Sequence, residues 1–366
     1  MLQYIISFII LISVVVFIHE YGHYYFAKKY KVGVTDFSIG FGKELYGFND
    51  KYGTRWKICA IPLGGYVKFF GDSNSASQPS NLSSVDKKDH SKLLATKPLY
   101  QRALIVSAGP FANFILAIFI FSIIFMTVGK DVTMPVITEV QKNSPAAEAG
   151  LKSKDQITYI DGKEIKSIND VALFISTSEG DSVKVEVSRN QKPLSFLIKP
   201  EIKLTKDNFG NSINRKLIGI KIAPVQGELK RETVGPAKAL VLSVKETYNT
   251  VSMTLSYIGK IIVGRESADQ LGGPIKIAQI SGKVAEHGLI PFLSIMAYIS
   301  ISLGLINLFP IPLLDGGHLF FYLIEFLRGK PLSENVQVYF YKFGMAILLT
   351  LMVFATFNDL KSLGLF

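Results

Sequence analysis

FIHEYGHYYFAKKYK, Phe17 to Lys31, places two histidines and a glutamate inside a run that is otherwise apolar and ends in lysines. The apolar run reaches back to Tyr4. Tyr4–Ala27 exceeds the roughly 20 helical residues needed to cross a hydrocarbon core about 30 Å thick. Three further blocks, Ala103–Val128, Ile290–Phe309 and Val336–Phe357, meet the same requirement. Four such blocks, almost free of charge, do not fit the core of a large soluble protein. They read as a polytopic α-helical membrane protein with four transmembrane helices. No positive segment precedes the first block and no small-residue cleavage site follows it. It therefore reads as a retained helix and not a cleaved signal peptide.

Basic residues near span ends mark the cytoplasmic side. Lys28, Lys29 and Lys31 place the end of the first span there, and Lys97 and Arg102 keep the loop to the second span there too. The stretch from Lys130 to Gly288 is then external, and a short internal turn carries Arg328 and Lys330. The chain of 366 residues has a formal net charge of +11. No basic patch with interleaved aromatics stands out, so the surplus is assigned to solvated membrane-proximal faces and no nucleic acid is expected. One cysteine, Cys59, excludes an intrachain disulfide and a thiolate zinc site; it reads as a small core residue in a strand.

Glycine punctuation and alternation between Val32 and Asp72 (Thr54, Trp56, Ile58, then Tyr66, Val67, Phe69) predict short strands and hairpins. The polar run SNSASQPSNLSSVDKKDHSK reads as a flexible linker, with His90 solvent-exposed. In NSPAAEAGLKSKDQITYIDGKEI, Ser144-Pro145 opens a helix through Ala149, Gly150 stops it and Asp161-Gly162 turns a hairpin. This stretch, Asn143–Ile165, resembles a PDZ domain of the bacterial protease-associated type. Such domains add an extended peptide to a sheet edge.

Residues 1–30 are thus the first span and 31–72 a membrane-associated β-hairpin region on the cytoplasmic side. A flexible cytoplasmic linker takes 73–98, the second span 99–129 and one external PDZ-like α+β domain 130–225. Amphipathic helices on the outer membrane surface take 226–288. The third span with the segment after it covers 289–335, and the fourth span with the tail 336–366.

HEYGH matches H-E-x-x-H: His19 and His23 lie one turn apart on one helix face, suited to one zinc ion, with Glu20 placed as general base. Charged groups inside a span cost about 2.5–3.5 kcal/mol each on insertion scales, so three polar groups on adjacent turns need a shared partner. His19 lies roughly 13 Å along the helix from Lys28, inside the bilayer and nearer the cytoplasmic face. A catalytic zinc takes a third protein ligand and keeps an open position. INLFPIPLLDGGHLFFYLIEF offers Asp315, after the helix-breaking Pro310 and Pro312 and before Gly316-Gly317. Non-helical backbone at membrane depth is tolerated where it is buried or lines a cavity. His318 is the rival ligand, ranked second.

HEYGH, the PDZ-like region and NLFPIPLLDGG together resemble the site-2 protease family (M50) of intramembrane zinc metalloproteases, in particular its bacterial regulator of sigma-E protease branch. IPLGGYVK, QRALIVSAGPFANF and LGGPIKIA extend the resemblance over nearly the whole chain. One departure is plain: there is room for one PDZ domain, where the best-known members carry two. The resemblance implies that His19, His23 and Asp315 hold Zn2+ and that Glu20 activates water. It gives Asn307 a contact with substrate or its scissile carbonyl, beside a competing helix-packing role, and makes Gly109 and Asn113 architectural. It implies substrates that are single-pass membrane proteins, such as anti-sigma factors, or leftover signal peptides. The implied location is the cell inner membrane, with the PDZ-like domain periplasmic and the active site near the cytoplasmic face. Strand-like IPLGGYVKFF is expected to pair with unwound substrate, Gly64 and Gly65 allowing close approach.

Three other classes are weighed against this. A membrane-anchored zincin acting on soluble proteins needs a site in water, which the apolar flanks of His19 oppose. A non-catalytic zinc or PDZ scaffold predicts loss of the base, yet Glu20 is present. A transporter predicts inverted repeats, and none is evident.

Overall fold

A computed structural model describes residues 2–72, 86–131, 133–178, 180–206, 212–224, 231–264, 268 and 271–363. The chain begins with helix α1 (Leu2–Lys29), strands β1 (Val34–Asn49) and β2 (Arg55–Phe69), and α2 (Leu99–Thr127). Then come β3 (Lys130–Asp131), β4 (Pro135–Val140), α3 (Pro145–Glu148), β5 (Gln156–Ile160), β6 (Lys163–Glu164) and α4 (Ile168–Thr177). Six strands follow: β7 (Val183–Arg189), β8 (Lys192–Ile198), β9 (Glu201–Lys206), β10 (Ser212–Leu217), β11 (Ile220–Pro224) and β12 (Arg231–Glu232). Five helices close the chain: α5 (Pro236–Ile262), α6 (Pro274–Glu286), α7 (Leu289–Asn307), α8 (Asp315–Arg328) and α9 (Glu334–Ser362). They divide into two compact units, Met1–Ser122 with Leu240–Phe366, and Ile123–Ala239.

In the first unit, α1, α2, α7 and most of α9 are long and apolar enough to cross a membrane. Small residues let the first three approach closely. A Cβ on Gly22 of α1 would strike the Ala108 carbonyl of α2, and one on Gly304 of α7 would sit 2.9 Å from the Pro110 oxygen of α2. The third span ends at Asn307, as a proline-broken segment should. Leu308–Leu314 is non-helical and Asp315 opens α8. The expected short turn around Arg328 is therefore the end of a 14-residue helix. Arg102 at the start of α2 makes a bidentate ion pair with Glu325 of α8 (2.9 and 2.5 Å), tying the two helices together.

The expected short strands and hairpins are segments of two bent strands: residues 34–41 of β1 register against 61–69 of β2 on one edge and, at Asp36–Ile39, against Arg55–Ile58 on the other, while 44–49 of β1 register against 55–59. Gly40 and Gly42, both at positive φ, bend β1 between these segments. The two strands pack on the end of α1 through Tyr24, whose ring lies 5.8 Å from that of Phe37 and 5.0 Å from that of Trp56, and Phe37 stacks on Trp56 with ring centroids 4.1 Å apart. Asp50 accepts from the Tyr24 hydroxyl (2.6 Å), the Trp56 indole (3.1 Å) and the Thr54 amide (2.9 Å).

The linker reading is corrected over 86–98. Two 3-10 turns form there, Leu93 is buried, and the Gly33 amide donates to the Lys92 carbonyl at 2.9 Å. The apolar Leu93 at the end of a polar run is the anchor, and His90 is half-buried. Residues 73–85 of that linker lie outside the described residues. The amphipathic helices are also more than surface elements. Gly282 of α6 packs against the Tyr4 ring of α1, and Asp359 of α9 caps α6 by accepting from the Gly273, Ile275 and Lys276 amides (2.8–3.1 Å). In α5, Glu246 accepts from the Tyr298 hydroxyl of α7 at 3.1 Å.

The second unit holds an antiparallel sheet ordered β11-β4-β5-β7-β8, with β6 paired to β5. Val183, Val185 and Val187 alternate inward from β7 and are fully buried. Ser144 caps α3 by accepting from the Ala147 amide, Pro145 takes the first helical position, and β5–β6 turns at Asp161-Gly162, as the sequence predicts. Asp155, wholly buried, accepts two bonds from Arg189 (2.6 and 2.7 Å).

Burial opposes the charge on Asp50, yet hydrogen bonds from Tyr24, Thr54, Trp56 and Tyr52 hold its pKa down at about 2. Its contribution is fully present above the ordinary carboxylate value near 4 and is lost as the pH falls toward about 2. Asp50→Ala should loosen the β1–β2 turn, so that trypsin cuts after Lys51 and Arg55 at least several-fold faster in detergent at neutral pH; an unchanged digestion rate would contradict this anchor.

Candidate metal centre

His19 and His23 sit one turn apart on α1, both buried, with their Nε2 atoms 3.3 Å from each other. Asp315 Oδ2 lies 3.2 Å from His19 Nε2 and 3.4 Å from His23 Nε2. These three side chains form the one His/Cys/Asp/Glu group among the described residues that could hold a metal ion. Asp315 Oδ2 is buried and accepts no hydrogen bond, so no imidazole N–H is aimed at it. The three atoms converge on a point instead. Zinc bonds to nitrogen and oxygen of about 2.0–2.1 Å give a tetrahedral edge of about 3.3–3.4 Å. All three separations fall at or beside that edge, and the donor set of two imidazoles and a carboxylate is one zinc accepts.

The second span supplies the surroundings of both histidines. On His23, Nδ1 faces the Ile105 carbonyl at 2.9 Å, which leaves Nε2 for a metal. A Cβ on Gly109 would collide with the His23 ring, so only glycine fits at that height of α2. Asn113, fully buried, places its Nδ2 3.2 Å from His19 Nδ1. The Ser300 hydroxyl of α7 holds the Asn113 backbone carbonyl at 2.9 Å. Ile105, Gly109 and Asn113 are spaced by four on α2, opposite His23 and His19 spaced by four on α1. Two matched helical stripes make the pocket. Sequence reasoning gave Gly109 and Asn113 only an architectural role; that matching spacing was the available signal.

Glu20 is buried on α1 beside the metal group and outside it. The Val67 backbone amide of β2 hydrogen-bonds to it. A Cβ on Gly65 would stand 2.7 Å from Val16 Cγ1 and 3.1 Å from Glu20 Cγ, so the room glycine leaves there is filled by α1. Gly64 takes a φ of +142°, which favours glycine, and lies against the Phe41 ring. Asn307 ends α7, half-exposed and outside the metal group. Its side chain makes no hydrogen bond with the described residues. His318, the rival ligand, lies outside the group and packs its ring 5.8 Å from that of Tyr341.

The sequence profile of peptidase family M50 matches residues 7–351. This chain belongs to peptidase family M50. A predicted zinc metalloprotease of Agrobacterium fabrum is 44% identical over 362 residues, covering 98% of this chain and 96% of that one. The metalloprotease MmpA of Caulobacter vibrioides is 32% identical over 99% of this chain and 96% of its own. Among solved structures, the PDZ domain of an SdrC-like protein from Listeria innocua matches 24% of this chain and 92% of its own, at 29% identity and a TM-score of 0.20. The family resemblance read from the motifs therefore holds. The M50 chain is a zinc metalloprotease, and its four long apolar helices mark a membrane protein.

Gly109→Val should push the His23 ring off its position and lower the zinc content of the purified protein from near one per chain to a small fraction, read by elemental analysis. Gly259→Ala, where a Cβ meets nothing within 4 Å, serves as the neutral control.

Proposed function

We propose that this protease hydrolyses peptide bonds within the transmembrane segments of single-pass membrane proteins. The observation that carries the reading is the converging His19, His23 and Asp315 triangle, built on a helix apolar enough to span a bilayer and buried among other such helices. His19, His23 and Asp315 hold the zinc, which when bound supplies the Lewis acidity that acidifies water and polarises a carbonyl. Glu20 Oε takes the proton from the attacking water and returns it to the leaving amine nitrogen. The Val67 amide keeps that carboxylate aimed. Asn307, whose amide has no hydrogen-bond partner among the described residues, donates to the scissile carbonyl oxygen of substrate. A soluble substrate would have to enter a site whose ligands are buried, which counts against a zincin of soluble proteins.

A transmembrane helix shields its own peptide bonds, so the substrate must unwind and its freed backbone groups need partners. Among the described residues, the 61–69 half of β2 pairs with β1 along one edge and has its other edge unpaired. Substrate pairs with that edge near Gly64–Val67. The chain sits in the cell inner membrane with the end of α1 on the cytoplasmic side. The 130–225 region, PDZ-like by its turns and sheet, stands in the periplasm and admits substrates already trimmed. Anti-sigma-factor-like proteins and remnant signal peptides fit this selection.

The test is cleavage of a single-span peptide by protein purified in detergent. Glu20→Gln should keep its zinc and lose at least about a hundredfold in rate, the scale of a general-base contribution; full activity would remove Glu20 as the base. Gly65→Pro should impair cleavage with zinc content intact, and unchanged cleavage would remove the strand-pairing step.

A further inference from the structure

Zinc on His19 Nε2 fixes the tautomer of that ring. Nε2 must be unprotonated to bind, so the proton sits on Nδ1, and a buried N–H needs an acceptor. His23 solves this with the Ile105 carbonyl. His19 has no backbone carbonyl on its Nδ1; its neighbour there is the amide of Asn113, nitrogen toward the ring at 3.2 Å. Asn113 Oδ1, on the other side, is buried with no hydrogen-bond partner. An N–H facing an NH2 group while an acceptor is stranded is a costly arrangement. Turning the amide end for end exchanges two groups of nearly the same size: the oxygen then accepts from the ring N–H, and the NH2 takes the oxygen's former place. The backbone need not move, since Ser300 holds the Asn113 carbonyl and α7 lies close enough that a Cβ on Gly304 would stand 3.3 Å from the Asn113 Cβ.

We infer that Asn113 is a positioning residue: its amide oxygen accepts from His19 Nδ1–H and so selects the tautomer whose Nε2 binds zinc. This rests on the metal-centre reading and goes beyond it, because a residue that only packs helices has no stake in which ring nitrogen carries the proton.

The full-length protein in detergent is stripped with a chelator and titrated with Zn2+ against a competing indicator, and in parallel with Co2+, whose visible bands report ligand geometry. Asn113→Leu keeps the volume and removes the acceptor; its zinc dissociation constant should rise about 10- to 100-fold, the usual effect of losing such a partner, and its cobalt bands should weaken. Asn113→Asp keeps an acceptor oxygen and should stay within about threefold of wild type, with wild-type cobalt bands. Melting of each metal-free protein reports packing alone, and Asn113→Ala replaces the leucine variant should that one melt early. A leucine or alanine variant that binds zinc like wild type overturns the inference, as does an aspartate variant that loses as much as the leucine one. A wild-type protein that takes up no zinc at all brings down the metal centre itself and the inference with it.

Discussion

Hydrocarbon gives a charged or hydrogen-bonding side chain nothing to interact with, and that constraint organises this molecule. Two imidazoles and a carboxylate, buried among helices that lipid can surround, persist only by sharing one partner. Their mutual spacing fits a single divalent cation, and the polar groups around them serve the outward-facing nitrogens of the same rings. The polarity of the span is thereby concentrated at one point, while the lipid-facing surface stays apolar.

Holding such a point steady requires helices closer together than ordinary side chains permit. Gly22 and Ala108 bring α1 against α2, and Gly304 brings α7 against the same helix near Pro110 and Asn113. The ion pair between Arg102 and Glu325 then ties α2 to α8, the helix whose first residue is Asp315. Each ligand is thus referred to α2, which contributes no ligand itself. β2 lies against α1 at Val16 and Glu20, so the strand proposed to receive substrate touches the helix that carries the proposed base.

Much of this was legible from residue patterns. Four apolar blocks announced the spans, HEYGH announced the ligand pair, and Asp315 after a proline break announced the third donor, because each is a local departure from what lipid tolerates. The turns of the PDZ-like region were legible for a similar reason: Ser144-Pro145, Gly150 and Asp161-Gly162 act within a few residues. Less could be read where the cause is distant in the chain. Leu93 looks like the edge of a linker until its burial is seen. The helix α6 reads as a surface element because neither its cap, Asp359, nor its contact, Tyr4, is near it in sequence. Asn113 looks like a packing residue until a histidine from another helix is placed beside it.

The metal ligands come from opposite ends of the polypeptide: the first span carries two, and the third waits at the start of α8. A ribosome that has delivered the first half of this chain to the membrane has therefore delivered an inert pair of imidazoles. The group that could hold a metal is complete only when the late helices have inserted and brought Asp315 alongside the two imidazoles.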